Sequence, residues 1–149
     1  KTFGFGLEAG SKPELFSALA LVNDDQTPII CNGYKDAEFV EAVVLAQKIG
    51  RNIIPVIERF KELELLIEGA KKHGVRPKMG MRLKLATRGA GRWESSSGSG
   101  SKFGLTVREI LTGLERLKSE GLEDGLKLVH FHMGSQITSI RSIAEAIKE

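Results

Sequence analysis

Thiol chemistry is nearly absent from this chain: Cys31 is the one cysteine in 149 residues. An internal disulfide is therefore excluded, and a reducing, cytoplasmic setting is the expectation. Long apolar runs are missing too. None reaches the roughly 18 residues that a membrane-spanning helix needs, and the opening Lys1-Thr-Phe-Gly-Phe5 lacks signal-peptide composition, so no membrane partner is expected. Charge of one sign does not dominate either. The 22 Lys and Arg are interleaved with 19 Asp and Glu, for a net charge of +3, which argues against a nucleic-acid partner. The densest basic cluster, Lys71-Lys72-His73, reads as a solvated helix end. No Gly-x-Gly-x-x-Gly follows any apolar run, so a dinucleotide-binding fold has no support. There is no initiator Met, the chain opens on an apolar segment, and it closes on a helical pattern at residues 144–149. Those features are read as a piece of something longer.

What is present is ordinary globular composition, 41% hydrophobic and 28% charged, with one repeating theme. Short apolar runs alternate with helical patterns five times. Strands are predicted over residues 2–7, 28–31, 52–57, 78–86 and a last run from residue 128. Helices are predicted over 12–21, 36–49, 60–72 and 106–117. Ser11 and Asp36 are N-cap candidates, Pro13 suits a first helical turn, and Gly74 suits a C-cap. Phe39, Val40, Val43 and Val44 keep a helical stripe. Strands separated by helices imply parallel βαβ units. Five units with polar residues after the strands predict an α/β chain forming part of a (β/α)8 TIM-type barrel, whose sites lie at strand C-terminal ends. A complete barrel takes about 250 residues, so residues 1–149 are expected to be a fragment of one barrel domain.

The most informative stretch is Leu128-Val-His-Phe-His-Met-Gly-Ser-Gln136. In a strand, alternation places His130 and His132 on one face and Val129, Phe131 and Met133 on the other. The Gly-Ser turn, with Ser139 and Arg141 beyond it, opens a helix near Ser142 and offers N–H groups and a hydroxyl to an anion. A strand end with an imidazole face beside a phosphate seat suits a flat, phosphorylated cofactor. The competing reading is a satisfied core histidine followed by a plain loop. Two histidines without a carboxylate at ligand spacing make a poor metal site, so no metal-binding residue is assigned. Residues 88–101, rich in Gly and Ser around Trp93, read either as a linker or as a mobile loop at a site or interface. They are expected to be poorly ordered without ligand and partner subunit.

Five motifs, in this order, resemble the biosynthetic arginine decarboxylases: Glu8-Ala-Gly-Ser-Lys-Pro-Glu14, Cys31-Asn-Gly-Tyr-Lys-Asp36, Gly91-Arg-Trp-Glu-Ser-Ser-Ser97, Ser101-Lys-Phe-Gly-Leu105 and His130-Phe-His-Met-Gly-Ser-Gln136. Ornithine and diaminopimelate decarboxylases share a looser form of the pattern. The resemblance implies an alanine-racemase-like barrel, pyridoxal phosphate as cofactor with magnesium allowed, and arginine converted to agmatine and CO2 in polyamine and spermidine synthesis. It implies a homo-oligomer built through the barrel and a second domain. It gives His132 the pyridine ring to stack on, Gly134 and Ser135 the phosphate, and Glu8 and Glu14 the cofactor edge. A cation on the fourth strand reaches the cofactor, and Lys84 is preferred there with Arg82 as rival. Lys102 is assigned an interface or structural salt bridge. By the same resemblance the Schiff-base lysine lies before Lys1, so no catalytic residue is assigned and the isolated chain is expected to be inactive. Two alternatives stay open: a decarboxylase of another basic amino acid such as ornithine, lysine or diaminopimelate, and a non-catalytic relative that binds pyridoxal phosphate. A barrel of unrelated, metal-dependent chemistry through His130 and His132 is a third.

Overall fold

The computed structural model describes residues 4–85, 103–134 and 140–148. Five strands, β1 (Leu7–Ala9), β2 (Ile29–Cys31), β3 (Ile53–Ile57), β4 (Met79–Leu83) and β5 (Leu126–Phe131), alternate with helices α1 (Lys12–Leu21), α2 (Ala37–Lys48), α3 (Phe60–His73), α4 (Val107–Ser119) and α5 (Ile140–Lys148). The strands form one parallel sheet in the order β1-β2-β3-β4-β5. That succession of adjacent parallel strands, each followed by a helix, is the arrangement of consecutive units of a (β/α)8 barrel. No described helix is long and apolar enough to cross a membrane.

Local chemistry sets most of the boundaries. The Ser11 hydroxyl accepts the Glu14 N–H and Pro13 occupies the first turn of α1, where its missing N–H costs nothing. Asp36 accepts the Phe39 N–H at 2.9 Å to start α2. Thr106 and Glu109 form a reciprocal capping box at the start of α4. Gly74 ends α3 at φ 65°, a left-handed conformation that glycine adopts without strain.

The first strand differs from the sequence expectation. Pairing covers Leu7–Ala9, not residues 2–7, and within the expected span only residues 4–7 are described. Gly4 sits at φ 68°, which breaks an extended run. Gly6 lies so close to the Pro28 carbonyl that a Cβ there would collide with it. The ladder starts one residue later, where the Leu7 N–H donates to the Pro28 carbonyl at 2.9 Å. A 3-10 turn at Glu123–Gly125, unforeseen from the sequence, leads into β5.

The core lies between the sheet and its helices. Ala9, Ile29, Cys31 and Ile53 meet Leu15, Phe39 and Val43 from α1 and α2. Ile57, Met79 and Met81 meet Leu63, Leu66, Ile67 and Leu117 from α3 and α4. Odd-numbered positions of β1–β4 thus face the helices, and even-numbered ones face the opposite side. Between Met79 and Gly80 the β4–β5 register slips by one residue, so Met79 opposes Leu126 while Gly80 opposes Leu128. Leu126 packs with Met79 in the helix-side core, whereas Leu128 lies over the Gly80 α-carbon. The basic cluster at the end of α3 is paired as well as solvated: Lys72 and His73 meet Glu41 of α2, and Lys71 meets Glu120 beyond α4.

Candidate functional site

The face turned away from the helices carries polar residues where the strands end. Glu8 lies in β1, and Asn32 and Glu58 stand one residue past β2 and β3. Arg82 lies in β4 with Lys84 one past its end, and His130 lies in β5 with His132 one past its end. The alternation of a parallel strand places each of these on the even-numbered face.

Hydrogen bonds link neighbouring strand ends across the sheet. The Asn32 amide donates to Glu8 Oε1 at 2.8 Å. The Gly33 N–H donates to Glu58 Oε1 at 3.2 Å, and Arg82 Nη1 donates to the same oxygen at 2.8 Å. Arg82 and His130 are Cα partners in the β4–β5 ladder. Burial holds the His130 imidazole below its ordinary pKa, and the positive charge of Arg82 adds to that effect. Two cations approach the Phe103 ring, Arg82 at 5.9 Å and Arg59 at 6.0 Å from its centre. The 103–105 segment fills the place beside β4 beyond the end of β3. Its Gly104 N–H donates to the Glu58 carbonyl and its Leu105 N–H to the Arg82 carbonyl.

A buried ion pair supports this row from below. Lys35 and Glu62 are fully enclosed, with side-chain exposures of 0% and 1%. Lys35 Nζ lies 3.3 Å from Glu62 Oε2 and donates to the Gly33 carbonyl at 2.5 Å. Glu62 accepts two backbone N–H groups, that of Lys35 at 3.3 Å and that of Glu58 at 3.0 Å. The turn after β2 and the turn after β3 are thereby locked to each other.

Buried polar atoms normally find partners. Among the described residues four such side-chain atoms have none, and three of them, Asn32 Oδ1, Glu58 Oε2 and His130 Nδ1, lie at these strand ends. Such a cluster fits a polar ligand resting on this face, as does a donor set that combines guanidinium, carboxylate and imidazole. Gly134 adds a backbone turn at φ 107° with open space where a Cβ would stand, which lets a ligand approach the main chain closely.

The remaining sequence-selected residues are placed as follows. His132 is exposed immediately beyond β5. The Glu14 carboxylate accepts the Gly10 N–H at 2.6 Å, so it closes the turn after β1. Lys84 packs its aliphatic stem near Gly104. The Glu109 carboxyl is held below its ordinary range by its two bonds from Thr106, with a smaller contribution from the Lys84 charge. Ser135, Ser139, Lys102 and the loop at 88–101 lie outside the described residues. No group of three His, Cys, Asp or Glu among the described residues could hold a metal ion. Asn32 and Lys35 stand in the Cys31–Asp36 motif without an assigned role, and Glu58 and Glu62 were not singled out from sequence. The available signal was a polar residue directly after each apolar strand run: Cys31-Asn32, Ile57-Glu58 and Leu83-Lys84.

Comparison with known proteins accords with this geometry. The chain is 56% identical over 146 residues to the biosynthetic arginine decarboxylase of Rhodopirellula baltica, covering 98% of this chain and 22% of that protein. It is 51% identical over 149 residues to that of Bacteroides thetaiotaomicron, covering 100% and 24%. The chain therefore spans about a quarter of the length of the curated relatives it matches. Its fold superposes on the crystal structure of the biosynthetic arginine decarboxylase of Campylobacter jejuni with a TM-score of 0.83 at 37% identity, covering 98% of this chain and 23% of that one. It superposes on diaminopimelate decarboxylase of Helicobacter pylori, crystallised with L-lysine, with a TM-score of 0.75 at 26% identity, covering 95% and 35%. The family described as pyridoxal-dependent decarboxylase, pyridoxal binding domain, matches residues 1–149, and it is to this family that the chain belongs.

Proposed function

We propose that the full-length protein carrying this chain decarboxylates arginine, releasing agmatine and CO2, with pyridoxal phosphate held over the C-terminal ends of the five strands. The observation that carries the reading is the set of unpartnered Asn32, Glu58 and His130 atoms at the strand ends, with Arg82 bound to Glu58 and in register with His130. Arginine is favoured over other basic amino acids by the 51–56% identity to arginine decarboxylases, against 26% to the diaminopimelate enzyme.

When bound, pyridoxal phosphate supplies an electron sink for the pair left on Cα as CO2 departs. In this reading the His132 imidazole stacks on the cofactor ring, and the Gly134 N–H with Ser135 holds its phosphate. Arg82 is favoured over Lys84 as the cation that reaches the cofactor by its register with His130 and its contact with Glu58. Lys84 lies at the outer margin, where its charge is felt by Glu109. Glu8, held by the Asn32 amide, lines the cofactor edge, and Glu14 acts by shaping the turn beneath it.

The test is release of labelled CO2 by the full-length protein from arginine, ornithine, lysine and diaminopimelate, with and without magnesium. Arginine should be preferred at least about tenfold in kcat/KM, since burying unmatched polar groups penalises the wrong side chain. A preference for another substrate would transfer the protein to a sister specificity, and no turnover of any would leave a cofactor-binding relative. His132→Ala should lose pyridoxal phosphate on dialysis, read from the visible absorbance. The reading also includes a homo-oligomer, checked by light scattering, and a cytoplasmic place in polyamine and spermidine synthesis.

A further inference from the structure

The Lys35–Glu62 pair is an unusual thing to bury, since two charges are taken out of water. The hydrogen bonds that it makes to the main chain all grip the two turns that frame Glu58. Lys35 Nζ takes the Gly33 carbonyl, and Glu62 takes the Lys35 and Glu58 N–H groups. The Gly33 N–H then donates to Glu58 Oε1. That oxygen also receives Arg82, while Oε2 is left without a partner. The chain of contacts runs from an enclosed ion pair to a single guanidinium at the strand ends. Glu58 is itself enclosed, with its side chain 1% exposed, whereas Arg82 is 14% exposed. The carboxylate is therefore the fixed member and the guanidinium the one that faces a ligand.

We propose that Glu58 is the positioning residue for Arg82, and that the buried Lys35–Glu62 pair exists to hold Glu58 in place. This rests on the reading that Arg82 reaches the cofactor. Arginine alone could sweep through many rotamers. Anchored on one oxygen of a buried carboxylate, its remaining N–H groups point in a fixed direction, and its charge is already paired before any ligand arrives. The unpartnered Glu58 Oε2 leaves one further acceptor for a donor on the bound molecule.

A double-mutant cycle in the full-length enzyme tests this, with pyridoxal phosphate as the titrated probe and kcat/KM for arginine as a second readout. Glu58→Gln preserves shape, and circular dichroism establishes that the variant is folded. It should weaken cofactor binding about tenfold in the native background and less than about twofold when Arg82 is already Ala, as coupled residues behave. The pH dependence of the bound cofactor's visible band should also shift in Glu58→Gln, because the guanidinium is left uncompensated. Glu58→Asp should recover the band position. If Glu58→Gln does not fold, Glu62→Gln runs through the same cycle with the same expectation. Equal losses in both backgrounds, or no loss in the native one, would overturn the proposal while leaving Arg82 in the site. An Arg82→Ala enzyme with unchanged affinity and turnover would instead remove Arg82 from the site, and the proposal with it.

Discussion

Arg82 and His130 are partners on one rung of the β4–β5 ladder, and the charge of Arg82 adds to the effect of burial on the imidazole's protonation. Burial contributes most to lowering the His130 pKa, Arg82 and His132 lower it further, and Glu58 and Glu8 oppose them. The ring is therefore expected to be neutral at pH 7. Histidine titration followed by NMR should give His130 a pKa below the ordinary 6.5. The sign for stability follows from linkage. The unfolded chain takes up this proton near the ordinary value and the folded chain only at lower pH. Stability contributed by this group should thus fall as the pH drops below about 6.5. A value at or above the ordinary one would contradict the arrangement.

Cys31 should be chemically silent. It ends β2 inside the helix-side core, and burial pushes its thiol up to about 12 against the opposing charge of Lys35. The thiolate is the reactive form. A disulfide-exchange reagent at pH 8 should label it only at the rate of unfolding, and fast labelling of the folded protein would show that this part of the core opens.

Breaking the Lys35–Glu62 pair should be costly from either side. Lys35→Met strands a carboxylate and Glu62→Gln strands an ammonium, and each should cost about 3–5 kcal/mol. Combining Lys35→Met with Glu62→Gln should cost less than the two single losses together, because no charge is left unmatched. Urea unfolding of all the variants decides the matter, and strictly additive losses would mean that the pair acts as two independent groups.

Gly125 enters β5 against the Pro77 carbonyl, at a distance that leaves no room for a Cβ. Because the obstacle is main chain and cannot swing away, Gly125→Ala should destabilise by about 1–3 kcal/mol, the range of overpacked sites. Thermal unfolding would register it, and an unchanged midpoint would show that this corner has slack. By contrast, Gly113→Ala meets mainly the Met81 methyl, a flexible end that can move aside.

Most helices were legible because their ends are written locally. Ser11, Asp36 and Gly74 each terminate or start a helix through chemistry within a few residues of themselves. The first strand was misjudged because its start depends on a close approach between Gly6 and Pro28, a contact between segments distant in sequence. The same distinction runs through the site. His130 and His132 could be put on one face by alternation within one strand. Glu58 and Asn32 could not, since each stands alone in its own segment and gains meaning only when the sheet aligns the strand ends. Alternation also could not separate Arg82 from Lys84, which share a parity. What separates them is a carboxylate 24 residues upstream of Arg82.

The one-residue slip between β4 and β5 works as a phase correction. Upstream of it the paired side chains of Met79 and Leu126 belong to the hydrophobic interior. Downstream, the same even spacing along the chain sends Leu128 and His130 to the opposite side. Lys127 is the residue that absorbs the offset. A regular ladder that paired Lys127 directly with Gly80 would look plausible, yet it would exchange the two sides of everything that follows. Imidazoles would go into the hydrocarbon and Val129 and Phe131 onto the polar face. A single inconspicuous lysine, left out of the ladder, is thus the parity bit on which the chemistry of this strand depends.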